Sequence, residues 1–467
     1  MSNTSDTDGP FVVIGGDAAG MSAASKAKRA NPDLEVIVFE RGEWVSYAAC
    51  GMPYYLKGDV EELEELVAVP PETFREERDV DLRTGHEVVG IDPDANAVTV
   101  EADGDRFEQP YGSLLVGTGA RAVVPPFDGI GLDGVFTLRG LDEAAAIDAY
   151  VETHDPETAA IVGGGYVGIE VAEALTARGI DVSLFEMESR TLEPFAEPTA
   201  RVVEEHVREQ GVDVRLETAV RGFENGDDGS GGDGSGGGGS VETVLLDDGA
   251  EPAALAIVGV GVAPNVELAE SAGIEVGPTG AIATDEYGRT NLPDVYAAGD
   301  CAEAEHAVTG EPDHVPLALT ANRAGRAIGS TVGGDPTPVG RTAGTAILKA
   351  FDLGVARTGV VDHERARAYG FDPVSVTIGA PTRAHYYPGG SELSVTLVAD
   401  RGSERVLGAS LVGEEGAKRI DTVATALESE LTVSELRDLD LAYAPPFSPV
   451  WDPVLTAAKV LDGKLSG

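Results

Sequence analysis

Four short stretches of this 467-residue chain combine side chains and backbone patterns that can do chemistry. SYAACGMPYY, residues 46 to 55, sets a lone cysteine, Cys50, before a Gly-x-Pro turn; such a thiol is a nucleophile only as its thiolate. GGGYVG, residues 163 to 168, fits G-x-G-x-x-G through Gly163, Gly165 and Gly168, with Glu186 following near the end of the next strand-like run. Glycines so spaced allow a tight turn and let backbone approach a pyrophosphate at a helix N-terminus, while the acid accepts from a ribose hydroxyl. GGDAAG, residues 15 to 20, is a degraded copy, with Asp17 at the central glycine position and Glu40 as its strand-end acid. TNLPDVYAAGDCAE, residues 290 to 303, ends a strand in Gly-Asp, which sets Asp300 at a sheet edge where a carboxylate can accept from ligand hydroxyls. Cys301, the only other cysteine, has no redox motif around it and reads as a buried structural thiol.

The elements around these stretches must place them. FVVIGG, MSAASKAKRA and LEVIVFE read as strand, helix and strand, and AAIVGGG, YVGIEVAEALTARG and DVSLFE repeat the pattern. Two βαβ units on parallel sheets follow. The tract ENGDDGSGGDGSGGGGS has no side chains able to bury a core and is expected to be a disordered insertion at the tip of a hairpin. After VGGDPTPVG the chain mixes strands such as SVTLVAD with helices such as EGAKRIDTVATALES, a separate α+β domain.

Composition narrows the function classes. The formal net charge is −48, from 81 acidic against 33 basic residues dispersed along the chain. A surface of that sign repels nucleic acid and anionic lipid, and is best tolerated in a salty interior, where screening is strong. No apolar run approaches the roughly 20 residues of a membrane span. The polar N-terminus carries no secretory pattern, and two cysteines form no disulfide framework, so a cytoplasmic location is expected. Seven scattered histidines without ligand spacing predict no metal site.

Taken together, GGDAAG, LLVGTGARAVVPP (114 to 126), GGGYVG, VGVGVAPN (258 to 265) and TNLPDVYAAGD resemble the FAD-dependent pyridine-nucleotide disulfide reductases, over essentially the whole chain. The resemblance implies an α/β fold with two Rossmann-like nucleotide-binding domains, glutathione reductase-like, plus a C-terminal α+β dimerisation domain. The implied parts are 1–121 and 254–333 for FAD, 122–253 for NAD(P)H with the Gly/Ser-rich loop at 225–240, and 334–467 for dimerisation, hence a homodimer. FAD would rest on Gly15, Ala18, Ala19, Gly20, Glu40, Arg41, Thr118, Gly119 and Asp300. NADH or NADPH would rest on Gly163, Gly165, Tyr166, Val167, Gly168 and Glu186, with Tyr166 as an aromatic lid over the flavin that the nicotinamide moves aside. Glu186 favours NADH, and Arg190 nearby is able to approach a 2′-phosphate. Gly117 and Ala122 depart from the Ala and Pro common in the family.

Cys50 selects the branch. Glutathione- and lipoamide-type members carry two cysteines, whereas SYAACGMPYY resembles the single-cysteine members: NADH oxidases, NADH peroxidases, and coenzyme A-disulfide or persulfide reductases. Ala18 stands where the oxidases and peroxidases carry a histidine, which argues for a thiol partner as oxidant. RAHYYPGG (383 to 390) and LAYAPPFSPVWDP (441 to 453) resemble coenzyme A-disulfide reductases, in which two tyrosines from the opposite subunit reach the cysteine; these match Tyr386 and Tyr443. Coenzyme A contacts would fall on Ser22, Lys26 and Arg29, which share one helix face by spacing, and on Ser46 and Tyr47. Ala49 replaces the usual Asn or Ser. The expected reaction is flavin-dependent reduction of coenzyme A disulfide by NAD(P)H through a mixed disulfide on Cys50, whose pKa a helix N-terminus and the flavin ring would lower. The alternatives are an NADH oxidase or peroxidase, a coenzyme A-persulfide or polysulfide reductase, and a flavin-binding redox sensor.

Overall fold

The computed structural model describes residues 9–226 and 239–466; the polar N-terminal eight residues and most of the Gly/Ser-rich tract lie outside the described residues. Strand β1 (Phe11–Ile14) and strand β2 (Val36–Phe39) are buried throughout, as apolar runs covered on both faces of a parallel sheet should be. They lie at the heart of a five-stranded parallel sheet with Val295–Ala297, Ser113–Val116 and Asp81–Arg83. β1 is flanked by Ser113–Val116 on one side and β2 on the other, so the order reverses beside it. A crevice opens at the carboxyl ends of strands at such a reversal.

Helix α1 (Ala18–Ala30) leaves β1 and packs on the late helix Ala318–Val332. The approach is backbone to backbone: a Cβ at Gly325 would lie 2.0 Å from the Ala19 carbonyl oxygen, and one at Gly329 2.2 Å from that of Ala23. This contact returns the second half of the chain to the first glycine loop.

Helix α2 (Met52–Lys57) follows directly from a 3-10 turn at Ala49–Gly51 that carries Cys50. Pro53 sits in its first turn, where a missing N–H costs nothing. Gly51 has its own reason, since a Cβ there would meet Leu66 Cδ2 at 2.3 Å. Helix α3 (Leu141–His154) leads to the second parallel sheet, ordered Asp213–Arg215, Asp181–Phe185, Thr158–Val162, Leu255–Val258 and Val135–Thr137. The second unit therefore extends to Val258 rather than ending at 253, because its sheet needs Leu255–Val258 between Thr158–Val162 and Val135–Thr137. Helix α4 (Tyr166–Ala177) follows the GGGYVG turn and packs against α2; helix α5 is Glu197–Glu209. Val220–Asn225 and Val241–Leu246 pair antiparallel, which puts the Gly/Ser-rich tract between two hairpin strands.

The C-terminal part is a five-stranded antiparallel sheet ordered Ala346–Ala350, Leu353–Gly359, Val406–Gly413, Glu392–Asp400 and Pro373–Pro381. Helices Ile420–Glu428 and Pro453–Leu465 pack on it around a buried aliphatic core. Among the described residues no helix is long and apolar enough to cross a membrane.

Candidate active site

The two glycine loops are built alike. Gly15 (φ +102°) and Gly163 (φ +107°) turn in the left-handed region, and a Cβ would lie 2.2 Å from the Gly117 oxygen and 2.5 Å from the Gly259 oxygen respectively. Gly20 and Gly168 close the turns, each with a Cβ position about 2 Å from a carbonyl oxygen of its own loop. The strand-end acids do the same job in both: Glu40 accepts from Gly16 N at 2.7 Å and Gly42 N at 2.8 Å, Glu186 from Gly164 N at 2.7 Å and Glu188 N at 2.9 Å. Each carboxylate thereby fixes its loop. No protein atom lies within 4 Å of the Cβ direction at Gly165, which leaves room for a pyrophosphate over the second loop. Val167 follows in the first turn of α4.

The first loop differs through Asp17. Its side chain turns off the loop and Oδ1 accepts from Tyr47 N at 3.2 Å, so the carboxylate ties GGDAAG to the stretch before Cys50. Burial raises its pKa from 3.8 to about 6, opposed by the Tyr47 N–H and Arg139 and reinforced by Glu40 and Asp300. Ser46 N donates to Gly16 O at 2.9 Å, a second stitch between the same segments. The Tyr47 phenol is pushed up to about 12, first by burial and then by Asp17.

Ala18 and Ala19 open α1, and Arg41 is exposed beside Glu40. Thr118 and Gly119 are locked to the VAPN turn, where Asn265 Nδ2 donates to Thr118 O at 2.8 Å and Thr118 Oγ1 donates to Asn265 O at 2.7 Å. Asp300 accepts from Arg139 at 2.6 Å, and Arg139 Nε also donates to Ala120 O at 2.9 Å. Arg139, Asn265 and Asp300 thus join three distant stretches at the rim of the first crevice. These residues fit a flavin dinucleotide: a glycine turn, a ribose acid, and a carboxylate with a cation at the polyol end.

Cys50 reaches solvent, whereas Cys301 is buried and donates weakly to the carbonyls of Ala298 and Val116. The protein's own groups shift the Cys50 thiol upward, so the helix N-terminus alone does not give the lowering expected of it together with the flavin ring. Desolvation leads, Glu170 and Asp300 add to it, and Arg139 opposes them. Glu170 itself, on α4, is pushed up to about 7 chiefly by burial, and accepts from Tyr54 Oη on α2 at 3.4 Å.

Ser22, Lys26 and Arg29 lie along the outer side of α1, where Ser22 Oγ donates to Asn322 Oδ1 at 2.6 Å. A cavity of about 380 Å³ opens at the end of this helix, lined by Arg29, Arg78, Lys28, Glu77 and Asp79 among others. Lys28 is committed to Asp79 at 2.6 Å and to the Pro32 and Leu34 carbonyls, whereas Arg78 lies over the Phe74 ring and donates to Ser25. Arg78 carries no sequence signal, since it enters only through the fold.

Tyr386 and Tyr443 come together, their hydroxyls 3.3 Å apart. Arg419 gathers their segments by donating to Thr382 O at 3.0 Å and Phe447 O at 2.7 Å. Tyr386 and Tyr443 are 63% and 45% exposed, and Tyr387, Phe447, Val450 and Trp451 of the same two segments are exposed as well. Tyr166 leads α4 and accepts from Arg357 Nε at 2.7 Å.

Two dinucleotide cradles beside one accessible thiol define a nicotinamide-dependent thiol–disulfide flavoprotein. The chain belongs to the pyridine nucleotide-disulphide oxidoreductase family, whose model matches residues 9–325, and the family's dimerisation domain matches 345–453. It is an oxidoreductase that uses FAD and a nicotinamide nucleotide. The chain is 40% identical over 451 residues to the NAD(P)H coenzyme A polysulfide/persulfide reductase of Pyrococcus horikoshii, covering 96% of this chain and 98% of that one. It is 32% identical over 442 residues to the coenzyme A disulfide reductase of Staphylococcus aureus, covering 94% and 96%. The structure of a NAD-dependent persulfide reductase from A. fulgidus superposes with a TM-score of 0.93 at 38% identity, over 98% of this chain and 84% of that one.

Proposed function

We propose that this protein uses NAD(P)H to reduce disulfides of coenzyme A, with Cys50 alternating between thiolate and a mixed disulfide with coenzyme A. The observation that carries the reading is a single accessible thiol, Cys50, set between two dinucleotide cradles, with the second cysteine sealed in the core. The Cys50 thiolate attacks one sulfur of the substrate disulfide; a Cys50–coenzyme A disulfide forms and one coenzyme A thiolate departs, taking up one proton. Two electrons and a further proton then return Cys50 to the thiolate and free the second coenzyme A as thiol. FAD, when bound, supplies the two-electron transfer from nicotinamide to sulfur. Glu40, Arg139 and Asp300 would hold it from this chain's side. The adjacent phenols of Tyr386 and Tyr443, presented outward, suit proton donation to the departing thiolate across a homodimer. Arg29 and Arg78 supply cationic groups for the phosphates of coenzyme A beside the outer side of α1. Glu186 favours NADH, because Arg190 is drawn away to Glu193 O at 2.8 Å.

The relatives at 40% identity favour a second reading on the same site, reduction of a coenzyme A persulfide with release of sulfide. Steady-state assays with coenzyme A disulfide and with coenzyme A persulfide, reading nicotinamide oxidation and sulfide, separate the two. Cys50→Ser is expected to abolish both while retaining bound FAD. Full turnover by that variant refutes the mechanism.

A further inference from the structure

Tyr166 stands at the first position of α4, immediately after Gly165, so its ring borders the mouth of the second glycine loop. Its hydroxyl accepts from Arg357 Nε at 2.7 Å, and its ring lies 5.5 Å from that of Phe195, which is fully buried. Arg357 also faces Phe195, 5.9 Å from the ring centroid, so tyrosine and arginine meet the same buried ring. The arginine belongs neither to the nucleotide unit nor to the thiol helix. It sits in the strand Leu353–Gly359, paired with Ala346 on one side and Ser410 on the other, inside the C-terminal sheet. Two helical turns along α4, buried Glu173 accepts from Phe351 N at 2.7 Å and pairs with Lys349, so the helix is fastened to the same hairpin twice.

We propose that Arg357 is a latch: from the dimerisation domain it holds Tyr166 in the closed position and so sets how readily the nicotinamide nucleotide gains its site. Arg357 is a positioning residue acting through Tyr166, and the inference rests on reading Tyr166 as the lid. The hydrogen bond is charge-assisted and therefore of the stronger kind. A nucleotide that requires the open lid binds with an apparent dissociation constant divided by the open fraction, so each tenfold gain in closure weakens binding tenfold.

The test is a double-mutant cycle on the holoenzyme. Arg357→Met keeps the stem and removes the guanidinium; Tyr166→Phe keeps the ring and removes the acceptor. NAD+ binding to the oxidised protein is read by calorimetry, with the oxygen reactivity of the NADH-reduced protein as a second readout. Each single variant is expected to tighten NAD+ binding by about tenfold, which is 1.4 kcal/mol, the double variant no further, and Arg357→Lys partway. Unchanged binding in Arg357→Met, or additive effects in the double variant, overturns the latch. If Arg357→Met does not fold, Tyr166→Phe tests the same bond. Tyr166→Ala separates the two layers: no effect of this variant on either readout sinks the lid reading itself, whereas an effect there with none in Arg357→Met sinks only the latch.

Discussion

Asp17 offers the most quantitative test of how the first glycine loop is built. Burial is the leading cause of its pKa rising from 3.8 to about 6 in the folded protein. Two pKa units correspond to about 3 kcal/mol of differential stability between protonated and ionised forms. The folded state binds the proton more tightly than the unfolded chain, so between about pH 4 and pH 6 folding retains protons that unfolding would release. Stability contributed by this group is therefore fully present below about pH 4, declines as pH rises, and is absent above about 6. Asp17→Asn removes that pH-dependent loss while its amide oxygen can still accept from Tyr47 N, now at 3.2 Å. The variant should be more stable than the parent by about 3 kcal/mol at pH 7.5, with the gain falling to about 1 kcal/mol at pH 4.5 and vanishing below about pH 4. Urea unfolding at fixed salt across that range, followed by tryptophan fluorescence, reads it. An Asp17→Asn difference that is independent of pH, or that disfavours the variant at neutral pH, refutes the assignment.

Arg139→Met should free FAD more readily and cost about 2 kcal/mol, between the values for exposed and buried pairs, because the Asp300 carboxylate loses its 2.6 Å partner; flavin fluorescence on dilution and thermal unfolding check the two halves. Glu173→Gln should lower stability by about 3 kcal/mol, since the buried carboxylate holds Lys57 at 3.1 Å, Lys349, and Phe351 N at 2.7 Å. Thermal unfolding at several salt concentrations reads this, and a loss that salt abolishes would point to a merely exposed pair.

The parts of the site legible in the sequence are those that local geometry encodes. A βα turn that must pass under a pyrophosphate needs its glycines at set spacings, and the strand next door ends where an acid can meet the turn. Glu40 and Glu186 were therefore readable as strand-end acids, whereas the bond each accepts from the second residue of its own loop emerged only from the fold. The lone Cys50 and the buried Cys301 were equally plain, because only one has a turn and a helix start beside it. Arg139 meeting Asp300, Arg78 closing on Ser25, and Arg357 reaching Tyr166 were not, since each partner lies 53 to 191 residues away. Such pairs are set by how whole elements dock. An isolated arginine on a strand or in a loop carries no periodic signal of its destination. The same reason moved the end of the second unit to Val258, since a strand's membership in a sheet is decided by its neighbours rather than its own residues.

Helix α4 shows what that docking achieves. Its residues 166, 170 and 173 recur at spacings of four and three, so they share one face, and each meets a different part of the molecule. Tyr166 meets Arg357 of the C-terminal sheet, Glu170 meets Tyr54 of the thiol helix, and Glu173 meets both Lys57 of that helix and Lys349 of the sheet. The thiol helix is only six residues long and is also tied to α3, where Tyr55 Oη donates to Asp148 at 3.3 Å. Its packing on α4 links it to the second glycine loop. Because these contacts are buried or half-buried, salt screens them far less than the exposed pairs on the acidic surface, such as Arg201 with Glu197. The geometry around Cys50 is thereby insulated from the ionic conditions that a surface of this charge must meet.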